Sequence, residues 1–293
     1  MRVTTLIIGI ALWQSAWAQS STEKITKELV FEKPSADNAI ILSNINGGIK
    51  VTGYNGDKIL LEVTKTINAK TTERLERGKA EIQLGVMDRA DTIILYVSDG
   101  CHEFRRSTGK GAHSPGGWGY QSRHQQDCNP PYDYRMDFTL KVPAELNLLV
   151  NTINGGDVVV ENVNGVIRAG NINGSIKLVD LRSAAEAHTI NGDVDVEYDR
   201  NPQNECRFYT LNGDINAMFQ PALSANVTFE SFNGDFYTNI ERLENLPQQV
   251  VKTSRNDGVR YKITGNQFKA GNGGPLLEFE TFNGNVYLKE STQ

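Results

Sequence analysis

An alternation of polar and apolar residues around an Asn-Gly pair recurs through the second half of the chain. Each of the clearest copies holds a threonine or serine, an apolar residue, Asn-Gly, a polar residue and a second apolar residue. These copies lie at 189–196, 210–217, 231–238 and 281–288, and shorter ones lie at 44–47, 152–155, 162–165 and 171–174. Alternation with a period of two is typical of β-strands that bury one face, so the pattern predicts an all-β fold.

The spacing of the pairs favours one β architecture over another. Their asparagines stand at 154, 164, 173, 191, 212, 233 and 283, in steps of 10, 9, 18, 21, 21 and 50 residues. A near-constant step is typical of repeat architectures. Asn-Gly serves either the two-residue turns of an antiparallel meander or sandwich, or the corners of stacked parallel coils. A meander alternates its turns between opposite ends, whereas here the sequence context is the same at every step.

We therefore predict a parallel β-helix, or β-solenoid, and keep the meander or sandwich as the alternative. The predicted corner residues are Asn154, Gly155, Asn173, Gly174, Asn191, Gly192, Asn212, Gly213, Asn233, Gly234, Asn283 and Gly284. Their asparagine side chains are expected to hydrogen-bond from coil to coil. The apolar residue before each pair is expected to point inward, and the threonines and serine before it to form a parallel column. The inward set is Ile190, Leu211, Phe232 and Phe282, and the column is Thr189, Thr210, Ser231 and Thr281.

The predicted organisation is a leader, an entry segment and one large domain. Residues 1–18 resemble a secretory signal peptide, with Arg2 followed by an apolar run and a small-residue cleavage site at 16–18. Residues 19–38 are polar and are predicted to be a flexible entry segment. Residues 39–293 are predicted to form a single β-solenoid domain. The protein is therefore expected to be exported, to the periplasm, the cell surface or the extracellular medium.

The first half of the domain carries its own strand signals. Alternating runs at 58–67, 81–86, 92–97 and 134–142 predict strands, and Thr71 is placed to cap a short helical turn over 71–79. Residues 98–132 are rich in glycine, proline and histidine, so we predict a long irregular insert loop.

Charge narrows the set of partners. Thirty basic and 35 acidic residues give a net charge of −5, without basic clusters. This balance argues against nucleic acid and against an anionic membrane surface as partners. After the leader, no segment is apolar enough to predict a transmembrane span.

Three cysteines bear on the insert. In an exported protein, Cys101 and Cys128 are predicted to form a disulfide at its base, and Cys206 is predicted to be buried and inert. His102, His113 and His124 lie in the same insert, but their spacing of eleven matches no recognised site, so no metal site is predicted.

An acidic column is the second candidate for chemistry. Asp193, Asp214 and Asp235 occupy one repeat position, with Asp157 nearby. Exported β-helix enzymes that cut polysaccharides use carboxylates on such a face, sometimes with calcium. Aspartate after Asn-Gly is also ordinary turn chemistry, which is the interpretation we favour. No cofactor is predicted, and calcium remains the alternative.

Aromatic residues mark the candidate binding surface. Trp118, Tyr120, Tyr132 and Tyr134 lie in or beside the insert. Exposed rings bind proteins or glycans well because they bury much area at little entropic cost. The alternative is that the rings pack back onto the repeat domain.

Several stretches resemble one known family, the bacterial exported "putative adhesin" proteins built from β-strand repeats. The stretches are 134–138 (YRMDF), 141–143 (KVP), 187–194 (AHTINGDV), 208–214 (FYTLNGD), 273–275 (GGP) and 279–284 (FETFNG). The resemblance implies a β-solenoid fold and export. It implies no catalytic or ligand-binding residues.

The resulting expectation is a non-catalytic envelope or cell-surface protein, adhesin-like, that binds protein or glycan through the 98–132 insert. The first alternative is a β-helical polysaccharide-degrading enzyme that uses the aspartate column. The second is a purely structural envelope component. The sequence leaves the oligomeric state open.

Overall fold

The computed structural model describes residues 19–106, 118–122, 129–247, 250–255, 258–263 and 266–292. The predicted leader, 1–18, lies outside the described residues. Strands dominate the described chain, with a single α-helix among them, so the prediction of an all-β fold is confirmed.

The strands, in chain order, are β1 Gln19–Leu29, β2 Ala39–Ser43, β3 Ile49–Tyr54, β4 Ile59–Ala69, β5 Gln83–Asp88, β6 Thr92–Ser98, β7 His102–Arg106, β8 Trp118–Ser122, β9 Tyr132–Pro143, β10 Asn147–Asn151, β11 Val158–Glu161, β12 Ile167–Gly170, β13 Ile176–Leu181, β14 Ala185–Asn191, β15 Val194–Tyr198, β16 Cys206–Asn212, β17 Ile215–Phe219, β18 Ala225–Asn233, β19 Phe236–Thr238, β20 Leu243–Leu246, β21 Val250–Arg255, β22 Gly258–Ile263, β23 Asn266–Ala270, β24 Leu276–Asn283 and β25 Val286–Glu290. Helix α1 spans Thr72–Glu81. The strands predicted at 58–67, 81–86, 92–97 and 134–142 correspond to β4, β5, β6 and β9 and are confirmed.

Two large sheets organise the described chain. The ten-stranded sheet has the order β1-β4-β9-β3-β11-β13-β15-β17-β25-β19. The eleven-stranded sheet has the order β20-β23-β18-β24-β16-β14-β12-β10-β2-β6-β5. From β10 to β19, consecutive strands alternate between the two sheets. Two separate hairpins, β7–β8 and β21–β22, complete the set.

The central strands of both sheets run parallel and in register. In the ten-stranded sheet Val158 pairs with Ile176, Ile176 with Val194, Val194 with Ile215, and Ile215 with Val286. The outer strands are antiparallel, as in the pairs β1–β4, β4–β9, β5–β6 and β18–β23. Both sheets are therefore mixed and not parallel throughout, which differs from the prediction. Of these pairs, only β5 and β6 are joined by a short connection, which requires an antiparallel pair. The other antiparallel pairs join strands that are distant in sequence and run in opposite directions at the ends of the sheets.

Alternate residues of these strands fill one hydrophobic core. Strand β4 alternates strictly between buried and half-buried positions along its eleven residues. Aromatic rings stack within the core, with centroids 4.9 Å apart for Tyr198 and Phe219 and 5.4 Å apart for Phe208 and Phe279. The period-two pattern thus places one face of each strand inside, as expected for strands with one covered face.

The entry segment differs from its prediction. Residues 19–29, expected to be flexible, form β1 and pair along their whole length with β4, from Gln19 with Ala69 to Leu29 with Ile59. The side chains of β1 are mostly exposed, and Ile25 and Leu29 pack against the core. Backbone pairing with β4 therefore orders this segment, although its polar side chains give no alternating pattern from which a strand could be predicted.

Helix α1 confirms the helical turn predicted at 71–79 and ends two residues later, at Glu81. The Thr71 side chain accepts a hydrogen bond from the amide of Arg74, as an N-cap residue does. At the other end of the helix, the buried Lys65 ammonium donates to the carbonyls of Lys79 and Ile82, at 3.4 and 3.2 Å. Lys65 also pairs with Glu23 of β1 at 2.9 Å, so one side chain joins β1, β4 and α1.

The last repeat copy does not follow sequence order. Strand β24 pairs with both β16 and β18, and β25 pairs with both β17 and β19. The segment 276–290 therefore lies between 206–219 and 225–238, although a stack built in chain order would place it last. The antiparallel strand β23 occupies the outer side of β18, so the chain returns on the inner side.

Candidate binding surface

The Asn-Gly pairs of seven strand connections lie over one another along one edge of the two sheets. Asparagine Nδ2 donates to the Oδ1 of the next asparagine in five places, at 2.8–2.9 Å: Asn173 to Asn154, Asn191 to Asn173, Asn212 to Asn191, Asn283 to Asn212 and Asn233 to Asn283. Asn46 and Asn154 form an isolated parallel bridge that extends the series. These side chains form the asparagine ladder.

The pair Asn164-Gly165 lies elsewhere. It connects β11 to β12 at the other side of the sheets, where Asn164 donates to the Glu145 carboxylate at 2.7 Å. The half-step spacing of 9 and 10 residues in the sequence thus reflects two different kinds of connection.

Glycine is required in the ladder because successive levels come very close. Gly213 has φ +155°, and a Cβ built there would lie 2.1 Å from the carbonyl oxygen of Gly192. Gly284 repeats the geometry, with its Cβ 1.9 Å from the oxygen of Gly213. Any side chain at these positions would force the levels apart.

The threonines before the ladder are buried, and the apolar residues beside them face outward. Thr189 and Thr210 have no exposed surface, and their hydroxyls donate to the carbonyls of Gly174 and Gly192 at 2.8 Å. Thr281 is similarly placed above Gly213. The prediction that Ile190, Leu211, Phe232 and Phe282 point inward is therefore wrong. A shift of one residue in a strand moves every side chain to the other face, and a threonine whose hydroxyl is satisfied is readily buried.

The outward residues form a continuous surface feature, which we call the apolar stripe. It comprises one residue from each of six stacked levels, in spatial order Ile153, Ile172, Ile190, Leu211, Phe282 and Phe232. Three of the six are exposed, Ile172 at 38%, Phe282 at 44% and Phe232 at 75%, and the other three are half-buried. The last two rings stack with centroids 4.8 Å apart and planes inclined by 3°. At about 4.8 Å per level the stripe is about 24 Å long.

At the Ile153 end of the stripe lies the hairpin of the insert. The described part of the insert is ordered, since β7 and β8 pair antiparallel from His102 with Ser122 to Arg106 with Trp118. This differs from the predicted irregular loop, and residues 107–117 and 123–128 lie outside the described residues. Alternating aromatic residues explain the order, because their rings share one face of the hairpin.

Two of the predicted binding residues hold this hairpin against the eleven-stranded sheet. The Tyr120 hydroxyl accepts a hydrogen bond from the amide of Val97 at 2.9 Å and donates to the carbonyl of Ser43 at 2.8 Å. Burial raises the pKa of Tyr120. Trp118 stacks on Phe104 at 5.8 Å, and Phe104 stacks on Tyr96 at 4.6 Å.

A groove of 330 Å³ separates the hairpin from the sheet. Trp118 and Tyr120 line one side, and the stripe residues Ile153, Ile172 and Ile190 line the other. His188 also lines it and stacks on Tyr209 with ring centroids 4.6 Å apart. Burial lowers the pKa of His188. The groove and the stripe thus form one surface.

The other two predicted binding residues do not line this groove. Tyr132 is 6% exposed and donates to the Glu81 carboxylate at 2.6 Å. Tyr134 donates to Asp99 at 3.4 Å. Burial, followed by these carboxylates, raises the pKa of both hydroxyls. Asp99 is buried and also contacts the His102 ring at 2.9 Å, so these residues form the base of the insert.

The cysteine and metal predictions are tested only in part. Cys101 is buried, and its predicted partner Cys128 lies outside the described residues, as do His113 and His124. Cys206 is buried, and its sulfur lies 3.1 Å from the Tyr198 hydroxyl. Burial raises the pKa of the Cys206 thiol. Within the described ranges, no group of three or more histidine, cysteine or acidic residues is arranged to hold a metal ion.

The aspartate column forms a second ladder beside the asparagine ladder. A side-chain oxygen of Asp157, Asp193 or Asp214 accepts the backbone amide of the next level, at 2.7–2.9 Å. At the last step Asn285 takes the same role and accepts the amide of Asp235 at 3.0 Å. One carboxylate oxygen of each of these three aspartates is thus engaged in holding the levels together.

No family model matches the chain. No curated protein matches it either. Among the described residues, no helix has the length and apolar character needed to cross a membrane.

Solved structures offer distant likenesses. A "putative cell adhesion protein" from Clostridium sporogenes matches with a TM-score of 0.41 and 9% identity, over 92% of this chain and 100% of the other. A "putative adhesin" from Bacteroides fragilis matches at 0.36 and 12%, over 92% and 97%. A "putative lipid binding protein" from Parabacteroides distasonis matches at 0.33 and 12%, over 92% and 97%. At these scores and identities the likenesses carry no argument about function, so the family resemblance stays a prediction.

Proposed function

We propose that this chain is an exported, non-catalytic β-solenoid that binds a protein partner on the apolar stripe and its adjoining groove. The observation that carries the proposal is the stripe itself. Six outward apolar residues in consecutive levels end in two stacked phenylalanine rings that are 44% and 75% exposed. Contiguous exposed apolar surface on a soluble protein marks an interaction site more often than scattered apolar residues do.

The solenoid interpretation is supported by pairing and by the ladder. Strands β10 to β19 alternate between the two sheets, and every neighbour of these strands is parallel except β23 beside β18. In a meander the Asn-Gly turns would alternate between opposite ends of a sheet. Here the turns at Asn173, Asn191 and Asn212 lie directly over one another, which supports coils stacked along an axis.

A protein partner suits the surface better than a glycan. Sugars are recognised by free aromatic faces, yet within the groove Phe104 is stacked between Tyr96 and Trp118, and the open ring face lies at the far end of the stripe, at Phe232. The Arg89 guanidinium lies 5.1 Å from the centre of the Trp118 ring. The remaining apolar area comes from isoleucine, leucine and phenylalanine side chains, which match the apolar centre of a protein interface.

The ladder also supports a non-catalytic role. The rival proposal, a polysaccharide-degrading enzyme, needs carboxylates free to act as acid and base. Asp193 and Asp214 instead accept backbone amides of the next level at 2.9 and 2.7 Å. Their positions are explained by the stacking of the levels.

Site-specific photo-crosslinking tests the proposed partner class. A photoreactive amino acid is placed at Ile190 in the stripe and, as a control, at Lys177, which lies on the outer face of the ten-stranded sheet. In cells of the source organism we expect a discrete crosslinked protein from position 190 and none from position 177. A second substitution, Ile172→Asp, is expected to abolish that crosslink without lowering the midpoint of unfolding by urea.

Three results would overturn the proposal. The first is equal crosslinking from both positions, and the second is crosslinking that persists in the Ile172→Asp variant. The third is binding on a glycan array that Ile172→Asp removes, which would assign the surface to a sugar. Turnover of acidic glycans that is lost in Asp193→Ala and Asp214→Ala would favour the enzyme instead.

A further inference from the structure

The stack of levels ends in an uncovered edge, which we call the open edge and define as residues 232–238. It includes strand β19, the outermost strand of the ten-stranded sheet. Except for Phe236, which is half-buried, every residue from Phe232 to Thr238 is exposed. On the neighbouring sheet, by contrast, β23 covers the outer side of β18. The outer side of β19 therefore has no neighbouring strand in the described chain, whereas the outer side of β18 is paired with β23.

The ladders show which groups are left unpaired. In the levels that precede the open edge, the amides of Gly192, Gly213 and Gly284 donate to the carbonyl of the asparagine in the next level toward that edge. Gly234 occupies the same place at the last level, where the described chain supplies no further asparagine. Likewise Asn233 donates to Asn283 through Nδ2, but nothing in the described part of the chain donates to its Oδ1.

Asp235 completes the set. At the levels below, Asp193 and Asp214 each accept a backbone amide from the next level. The equivalent side chain of Asp235 receives a hydroxyl from Tyr237 at 3.4 Å, and no amide in the described residues reaches it. The last level therefore offers amide, carbonyl and side-chain groups in the arrangement that accepts one more strand.

Two outward-facing aromatic rings flank these groups, one on each large sheet. Phe232 is 75% exposed and Tyr237 is 46% exposed. Each stacks on its inner side against a ring of the inserted segment, Phe282 at 4.8 Å and Tyr287 at 5.0 Å. The outer sides of both rings face the space that an added strand would occupy, so apolar side chains on the outward face of that strand would meet a ring at each end of the edge.

We propose that the open edge binds an extended, basic peptide segment of another protein as an added β-strand. Strand addition uses backbone hydrogen bonds for affinity and alternate side chains for specificity. The acidic side chains Glu230, Asp235 and Glu241 are exposed around the edge, with Arg242 and Lys289 as neighbouring basic groups. Lysine or arginine at alternate positions of the partner would complement them.

Charge also argues against a second copy of this chain as the occupant. Pairing two open edges about a two-fold axis would bring Glu230 and Asp235 of both copies to one seam, and like charges across paired strands are destabilising. The chain as a whole carries a net charge of −5. At the other end of the ten-stranded sheet, β1 carries charged side chains in exposed ion pairs, such as Lys24 with Glu62 and Glu28 with Lys58. Charged side chains on an edge strand disfavour the addition of another strand.

The test uses the whole mature chain and a fluorescein-labelled synthetic peptide, Lys-Val-Lys-Phe-Asn-Gly-Lys-Phe-Lys-Val, followed by fluorescence anisotropy. Thr238→Pro removes an edge amide, and Asp235→Lys reverses the charge at the corner. Each is expected to weaken binding about tenfold or more. The matched control Asp57→Lys makes the same charge change in an exposed turn far along the chain and is expected to leave affinity within about twofold.

A second peptide separates strand pairing from charge attraction. N-methylation of alternate peptide bonds keeps every side chain but removes half of the backbone donors, so affinity is expected to fall about tenfold. Hydrogen exchange of the unmethylated complex should show slower exchange of the amides at 234–238. Circular dichroism checks that Thr238→Pro is folded, and Asp235→Lys provides an independent readout.

The inference is overturned by absence of binding at millimolar peptide, by equal affinity of the N-methylated peptide, or by equal weakening in Asp57→Lys. Concentration-dependent dimerisation that Thr238→Pro abolishes would also overturn it, since a second copy would then occupy the edge. This inference goes beyond the proposed function and fails separately from it. Ile172→Asp should abolish the partner crosslink while leaving peptide binding at the open edge unchanged.

Discussion

At the scale of single residues, the fold depends on polar side chains that are buried or stacked in rows. Thr189, Thr210 and Thr281 are enclosed, yet each hydroxyl donates to a glycine carbonyl one level away. A buried polar group is tolerated when it is hydrogen-bonded, and a missing partner is costly. The same glycines leave room for the ladder, so the threonine and the Asn-Gly pair function together as one corner.

Replacing Thr210 with valine tests this corner. The change keeps the shape but removes the donor to the Gly192 carbonyl, 2.8 Å away, in a fully buried site. We expect the free energy of unfolding to fall by about 1–3 kcal/mol. In the control, Ser231→Ala, the hydroxyl is half-buried at the end of the column and its bond is 3.3 Å long, so a loss below about 0.5 kcal/mol is expected. Urea unfolding measures both, and equal losses would contradict the account.

A pH dependence is expected from His188, whose pKa in the folded state is lowered by burial. The folded chain therefore binds its proton less readily than the unfolded chain does. The sign follows: stability is highest above the unfolded pKa, near 6.5, and decreases as the pH falls below it. In His188→Gln this contribution is absent, so the variant should lose less stability than the parent between pH 8 and pH 5. Urea unfolding at the two pH values checks this, and identical losses would refute it.

At the scale of elements, the sequence predicts strands well and their facing poorly. The runs at 58–67 and 134–142 became β4 and β9 because alternation is a local property. The inward prediction for Ile190 and Leu211 failed because apolar character alone was used to choose the face. Counting back in steps of two gives the right phase: Phe208 and Phe279 share the threonine face, whereas His188, Tyr209 and Glu280 share the outer face.

Strand β1 and the β7–β8 hairpin were missed for a different reason. Their order comes from partners distant in sequence, β4 for β1 and the ends of β2 and β6 for Tyr120. A period-two signal is weak when both faces of a strand are polar, as in β1. Of the four candidate binding residues, two line the groove and two lie at the base of the insert. The sequence could not predict this division, because it does not show where the insert folds back.

Lys65 connects three elements, so its removal is expected to lower the stability of the fold. It joins β1, β4 and α1 through Glu23, Lys79 and Ile82. In Lys65→Met the two carbonyls near the end of the helix lose a donor inside the protein, so we expect a loss of about 1–3 kcal/mol. The control Lys24→Met breaks an exposed pair with Glu62 and should cost less than about 0.5 kcal/mol. Hydrogen exchange should show faster exchange in α1 and β1 only for Lys65→Met, and unchanged exchange there would contradict the role.

At the scale of the whole molecule, the order of the levels departs from the order of the chain. The 50-residue gap before the last Asn-Gly pair hinted at an interruption, but repeats alone predict a stack built in sequence. The structure instead places 276–290 between 206–219 and 225–238. The level that carries the open edge is consequently attached to the rest of both parallel runs through the final segment of the chain.

This arrangement predicts an asymmetry between two buried positions that face each other, Leu277 and Val227. Both have no exposed surface and they are paired partners in β24 and β18. An aspartate at either position buries an uncompensated charge and should cost about 3–5 kcal/mol. Leu277→Asp should release the inserted segment, so that hydrogen exchange accelerates in 206–219 and 225–238 together. Val227→Asp should loosen 225–238 while β24 keeps its pairing with β16. A stack in chain order would give the reverse, with Val227→Asp loosening 276–290 and Leu277→Asp leaving 225–238 protected, and that result would refute the insertion.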